Sequence, residues 1–177
     1  MKKLFLGMAA LVLLFSSCSG SDDGGSASVT SHIMINGTLF TPDANTGMLQ
    51  NIVTSFQAGS NSGAANTRVF ALNNQGTSLS DSKSIEVIVT YPFSQASIDG
   101  TYLLDGGLSG NVNNYAGGSI FDSGAFLSFA SGTVTVTDLG NNKFKLEFNN
   151  AVAENFLDET VTSTVTGYFQ GTFVVGE

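Results

Sequence analysis

From Thr160 to Val174 the chain alternates between two kinds of position. Val161, Val165, Phe169 and Phe173 fall on one side of the alternation, with Ser163, Gly167 and Gly171 among them. Thr160, Thr162, Thr164, Thr166, Tyr168, Gln170 and Thr172 fall on the other. A period of two over thirteen residues predicts a strand with one face buried, because successive side chains of an extended chain point to opposite sides. It reads as one long bent strand or as two. Gly167 and Gly171 mark bends, or places where an aromatic ring lies over the backbone.

The same test predicts a hairpin further upstream. Val134 and Val136 alternate with Thr133, Thr135 and Thr137, and Phe144, Leu146 and Phe148 alternate with Lys143, Lys145, Glu147 and Asn149. Between them lies Asp138-Leu-Gly-Asn-Asn142, a turn of residues that tolerate positive φ. Ile85, Val87, Val89 and Tyr91 share one face of a further strand, and Ile88 on the other face predicts that this side is partly covered too. Shorter candidates run over Ile52–Ala58, Thr67–Leu72, Thr101–Leu104 and Ala125–Phe129, and His32–Phe40 reads as a hairpin around Asn36-Gly37. Ala151–Asp158 alone leans towards helix, and it is short for one. Gly59–Gly63 and Gly106–Gly118 read as glycine-rich loops.

The expected fold is therefore all-β: an antiparallel β-sandwich of roughly eight to ten strands, with a β-barrel as the alternative. Twenty-one glycines, two prolines (Pro42 and Pro92) and no tryptophan suit short strands joined by Gly/Asn turns. Most phenylalanines outside the first seventeen residues read as core.

The N-terminus follows a different pattern. Lys2 and Lys3 precede an apolar run from Leu4 to Phe15, which has the length of an export-signal core and is too short to span a bilayer. Ser16 and Ser17 then stand directly before Cys18. This arrangement resembles the lipobox of bacterial lipoproteins, although Phe15 occupies the place of the usual aliphatic residue. The resemblance implies cleavage before Cys18 and acylation of its sulfur and its new amino group, and several acyl chains on one residue give stable anchoring. The alternative is an ordinary secreted protein with an incidental cysteine. Cys18 is the only cysteine, so no intramolecular disulfide forms. Ser19 after it disfavours inner-membrane retention. Ser21, Asp22 and Asp23 resemble the acidic export signal that sends Bacteroidetes lipoproteins to the exterior face of the outer membrane; otherwise they are an acidic linker.

Three regions result: a signal peptide over 1–17, a flexible acidic Ser/Gly tether over 18–30, and one all-β domain over 31–177. Cleavage removes Lys2 and Lys3, leaving four basic against fourteen acidic residues, a net charge of −10. Such a surface repels nucleic acid and anionic lipid heads.

Four segments together resemble a family of small Bacteroidetes lipoproteins of unknown function. They are Asn36-Gly-Thr-Leu-Phe-Thr-Pro-Asp43, Asp99-Gly-Thr-Tyr-Leu-Leu104, Ser131-Gly-Thr-Val-Thr-Val-Thr-Asp-Leu-Gly-Asn-Asn-Lys143 and Thr166-Gly-Tyr-Phe-Gln-Gly-Thr-Phe173. Their order is more telling than any one of them, since each is common turn or strand chemistry. The resemblance implies location and architecture, and carries no catalytic residues.

The chemical inventory is thin. His32 is the only histidine and opens the first strand, where it reads as solvent-facing; no G-x-S-x-G elbow accompanies it. Carboxylate pairs suited to glycoside hydrolysis are Asp99 with Asp105, or Glu154 with Asp158 and Glu159. The first pair flanks a short strand and the second group sits in a turn, so solvated loop acids are the plainer reading. Asp105, Asn111, Asn113 and Asn114 offer oxygen ligands for calcium, without EF-hand spacing. Of the aromatics that could face a glycan, Tyr91, Tyr102, Tyr115 and Tyr168, Tyr115 in the glycine-rich loop is the candidate for exposure. The expectation is a lipid-anchored envelope protein without catalytic residues or cofactor beyond the lipid on Cys18. It would act as a binding or accessory module towards an envelope protein or extracellular glycan. A structural role at the outer-membrane surface is the alternative, and hydrolysis comes last. Oligomeric state is not legible.

Overall fold

The computed structural model describes residues 30–43, 52–60, 63–78, 80–105 and 115–175. Among these there is no helix, and the chain forms twelve strands. They are β1 (Thr30–Ser31), β2 (Ile33–Ile35), β3 (Thr38–Phe40), β4 (Ile52–Ser60), β5 (Gly63–Asn74), β6 (Lys83–Pro92), β7 (Gly100–Leu104), β8 (Tyr115–Asp122), β9 (Ala125–Asp138), β10 (Lys143–Asn155), β11 (Asp158–Thr172) and β12 (Val174–Val175). The count exceeds the expected eight to ten because β1, β2, β3 and β12 are pieces of two or three residues.

Hydrogen bonding runs continuously through one sheet in the order β12-β4-β5-β6-β8-β7-β9-β10-β11-β2-β3, with β1 on β11 and a direct β8–β9 pairing. The sheet curls. β12 continues β11 past Phe173 and pairs parallel with β4, Val174 against Ile52 and Val175 against Val53. The far ends of the long-strand path are therefore joined by one stretch of chain, giving a half-barrel with a two-pair bridge. The all-β expectation holds. Two parallel pairings, β12–β4 and β7–β8, make the sheet mixed where a purely antiparallel one was expected.

The predicted alternation is visible in burial. Ile85, Val87, Val89 and Tyr91 of β6 are buried and Ile88 is half-buried, as a partly covered second face requires. Phe144, Leu146 and Phe148 of β10 point inward beside Val134 and Val136 of β9, and Val165 and Phe169 of β11 do the same. In the interior Phe70 from β5 meets Phe144 from β10 at 5.1 Å and Phe173 at 5.3 Å, edge to face. Phe173 also meets Phe144 at 5.8 Å and Phe169 at 5.5 Å. These are the preferred geometries of aromatic pairs, and they link strands that are distant along the sheet path.

Turn chemistry sets the registers. Asn36 and Gly37 both take positive φ (51° and 77°) in the two-residue β2–β3 turn, and Gly140, Asn141 and Asn142 do so between β9 and β10. Ser123-Gly124 makes an equivalent turn between β8 and β9.

Three expectations are corrected. Ala151–Asp158 is not helical: Ala151 to Asn155 complete β10, where pairing to both β9 and β11 overrides helix propensity. Gly59, Ser60 and Gly63 belong to strands, because β4 and β5 pair as far as Ser60 and Gly63. Tyr115 to Gly118 belong to β8, held by β6 from Thr90 to Val87; residues 106–114 lie outside the described residues.

Gly167 marks a close backbone approach. Its φ is +91°, and a Cβ there would stand 2.0 Å from the carbonyl oxygen of His32. Replacing it therefore strains the backbone and displaces β1 and β2 together. Gly167→Ala is expected to lose about 2–3 kcal/mol of unfolding free energy in urea titration; a loss below about 0.5 kcal/mol contradicts this account. Tyr102 is fully buried and donates from Oη to the Ile98 carbonyl at 2.5 Å. Tyr102→Phe leaves that carbonyl without this donor and should cost about 1–2 kcal/mol in the same titration.

Candidate functional site

A solvent-facing irregularity lies at the far end of the β10–β11 hairpin. Asn155 pairs with Asp158 and Glu154 with Thr162, so Glu159, Thr160 and Val161 bulge out of the ladder. Local polar groups hold this shape. Asn155 Oδ1 accepts the Leu157 amide at 2.8 Å, and Asp158 Oδ1 accepts the Thr160 amide at 3.1 Å and its hydroxyl at 2.5 Å. Side chains of this kind fold the backbone into a tight turn without help from the core. The Thr160 hydroxyl first, and its amide second, hold the Asp158 carboxyl below its ordinary range.

The turn lifts Phe156 and Leu157 into solvent, 90% and 91% exposed. Val161 is 43% exposed, although its parity puts it on the inward side of β11. The cause is the bulge, which takes it beyond the covered part of the sheet. Phe126, 61% exposed, stands two residues before Ser128 on β9 and so shares its face. Beside the turn lies a cleft of about 410 Å³ lined by Ser128, Phe129 and Ala130 of β9, Glu154 and Asn155 of β10, and Phe156 with Glu159. Phe129 is fully buried and stacks on Phe148 at 6.1 Å, giving the cleft a rigid apolar boundary. Large exposed apolar groups clustered in this way mark interaction surfaces more often than scattered single ones do.

The surroundings are acidic. Glu154, Asp158 and Glu159 gather here, and among the described residues no basic one joins them. Arg68 lies over the Phe144 ring at 5.5 Å, Lys83 pairs with Asp122 at 2.5 Å, and Lys145 pairs with Glu147 at 2.6 Å. Lys143 and Lys145 sit at the opposite end of β10, facing Thr172 and Gln170.

Of the expected carboxylate groupings, Glu154 and Glu159 do share this cleft, whereas Asp158 is committed to Thr160. Asp99 and Asp105 sit at opposite ends of β7, as expected, and do not converge. Asp99 ties strands together: Oδ2 accepts the Ser97 hydroxyl and Oδ1 the Asp138 amide, each at 2.6 Å. These bonds, Ser97 first, hold its carboxyl below the ordinary value of 3.8. Asp105 comes beside Tyr115. Burial pushes the phenol pKa up, and the Asp105 carboxylate raises it further. Tyr115 Oη and Asp105 Oδ1 are shielded from solvent, and neither makes a hydrogen bond of good geometry. Tyr115 is thus half-buried, where exposure was expected, because it opens β8 between Thr90 and Leu103.

Tyr91 and Tyr102 are core residues, and Tyr168 packs under Lys145 at 4.8 Å and against His32 at 5.3 Å. The four tyrosines do not form one platform. His32 is exposed, as expected. Cys18, Ser21, Asp22, Asp23, Asn111 and Asn113 lie outside the described residues. Among the described residues no three His, Cys, Asp or Glu side chains are placed to hold a metal, and no helix is long and apolar enough to cross a membrane.

Sequence reasoning placed Glu154, Asp158 and Glu159 in a turn but missed that Phe156 and Leu157 stand exposed on it. The available signal was an apolar pair between two turn-forming side chains, Asn155 and Asp158. No protein-family model, curated protein or solved structure matches this chain.

Asp99 has a folded-state pKa below 3.8, so its contribution to stability is present above the unfolded value and lost as pH falls through the folded one. Asp99→Asn is therefore expected to lower the urea midpoint at about pH 6, and the gap to the parent chain should narrow by about pH 3. An equal gap at both pH values would contradict the assigned charge-dependent role.

Proposed function

We propose that this chain is a lipid-anchored protein of the bacterial cell envelope. Its β domain is a non-catalytic binding module that presents the β10–β11 end to a partner. The observation that carries the reading is the pair Phe156 and Leu157, held out by polar turn bonds at the end of two long paired strands. A soluble domain gains nothing from exposing two large apolar side chains at a fixed position, and a docking surface does.

The position of this end fits an anchored molecule. Thr30 pairs with Gln170 near the C-terminal end of β11, whereas the Phe156-Leu157 turn precedes its first residue, Asp158. At about 3.3 Å per residue the intervening strand is on the order of 40 Å long. The chain leading back to Cys18 thus enters the fold at one end, and the exposed turn stands at the other. Signal peptide, lipidated Cys18 and the acidic Ser21-Asp22-Asp23 stretch supply the envelope part of the reading, with the exterior face of the outer membrane as destination. The resemblance to small Bacteroidetes lipoproteins points the same way. The catalytic alternative is weakened by what Asp99, Asp158 and His32 do: each is occupied in turn, strand or ring contacts.

A structural role in envelope assembly is the second reading, favoured by the exposed outer side of β11 near its start.

Two measurements test the proposal. Cys18→Ala is expected to abolish incorporation of labelled palmitate and to release the protein from the membrane fraction; retained label would overturn the anchor. A photo-crosslinking amino acid at Phe156, in cells, should yield a discrete adduct that is missing when the probe replaces Leu139 at the opposite end. Equal labelling from both positions would overturn the placement of the binding surface.

A further inference from the structure

The outer side of β11 is covered for only part of its length. β1 covers it at Phe169 and Gln170, and β2 at Val165 and Thr166. Asn36, in the β2–β3 turn, finishes the cover. Its Oδ1 accepts the Thr164 amide at 2.9 Å, its Nδ2 donates to Ser163 Oγ at 3.0 Å, and its own amide donates to the Thr164 carbonyl at 3.0 Å. Cover ends there. By the two-residue period of a strand, Thr162 turns its N–H and C=O the same way as Thr164. Among the described residues the outward pairing of β11 ends at Thr164. The side chains from Asp158 to Thr162 are all exposed.

We propose that this open edge of β11 receives an extended segment of a partner protein in which basic and apolar residues alternate, adding a strand next to the Phe156 cleft. The inference rests on the binding-module reading above and names the chemistry of its partner. Unpaired backbone groups on a strand edge are met by an added strand, which supplies affinity through main-chain hydrogen bonds and selectivity through alternate side chains. One set of those side chains would meet Phe156, Leu157 and Val161. The basic side chains would be drawn to the carboxylates of this end, Glu154, Asp158 and Glu159, whose charge no lysine or arginine among the described residues offsets locally. A second copy of the chain would bring two such acidic ends together and is repelled; a basic segment is attracted and oriented.

The test uses the full processed chain and synthetic peptides of about eight residues, the span of one added strand. One alternates valine with lysine, one valine with glutamate. A third repeats the valine–lysine peptide with alternate backbone nitrogens methylated. The valine–lysine peptide should bind and shift the Thr162 amide resonance, and its binding should weaken as salt is raised. The glutamate peptide should bind at least about tenfold more weakly. The methylated peptide should not bind, because its N–H groups are gone while its side chains remain. Thr162→Pro should abolish binding as well, since proline is tolerated on an edge but removes the outward donor. The methylated peptide carries the same test without altering the protein.

Equal binding of methylated and unmethylated peptides would overturn strand addition. Equal binding of the glutamate peptide would overturn the basic partner. Concentration-dependent self-association lost in Thr162→Pro would replace the partner by a second copy and overturn the proposal. Absence of all peptide binding while the Phe156 probe still gives its adduct overturns this inference alone; loss of both overturns the binding-module reading too.

Discussion

Phe173 separates β11, the longest of the described strands, from β12, and most of the architecture depends on where its ring goes. It is buried against Phe70, Phe144 and Phe169, which come from β5, β10 and β11. Its amide donates to the Asn142 carbonyl, pinning the β9–β10 turn to the end of β11. Immediately beyond it, Val174 and Val175 pair with β4 at the other side of the sheet. A sheet curls because its strands twist, but twist alone does not bring its edges together. The aromatic cluster does so by making the two ends share one interior. Every strand between them then has an inner face, and that is why the alternation in β6, β9 and β10 has somewhere to point.

Rigidity of that interior also explains what the open end can do. Phe129 contributes at once to the core, through Phe148, and to the cleft beside the hairpin end. The apolar turn therefore projects from packed strands, and its shape is fixed by Asn155 and Asp158. A surface built this way meets a partner without first having to order itself, which reduces the entropic cost of association. Charge differs between the two ends of the β10–β11 hairpin: Lys143 and Lys145 sit near the entry of the chain into the fold, and Glu154, Asp158 and Glu159 gather at the other end.

Much of the fold was legible. The β9–β10 hairpin could be read because both of its strands alternate strictly and Gly140, Asn141 and Asn142 form a turn that few other residues adopt. Asn36-Gly37 was readable for the same reason. The second half of β10 was not. Ala151, Val152, Ala153 and Glu154 carry no strand signature of their own, and they are extended because β9 and β11 pair with them on both sides. Tyr115 looked like an exposed loop aromatic, yet the start of β8 half-buries it beside Asp105.

The sequence by itself determined the acidic composition of the chain, its single cysteine, Cys18, and the all-β class. These follow from local composition and from a period of two, both of which are written in consecutive residues. Only the tertiary structure decided how the sheet closes, which carboxylates come together, and that Phe156 and Leu157 are exposed while Phe129, Phe148 and Phe173 are not. Those outcomes depend on contacts such as Phe70 with Phe173, between residues far apart in the chain. Nothing in either local sequence specifies the other, so their meeting is settled by the packing of the whole sheet.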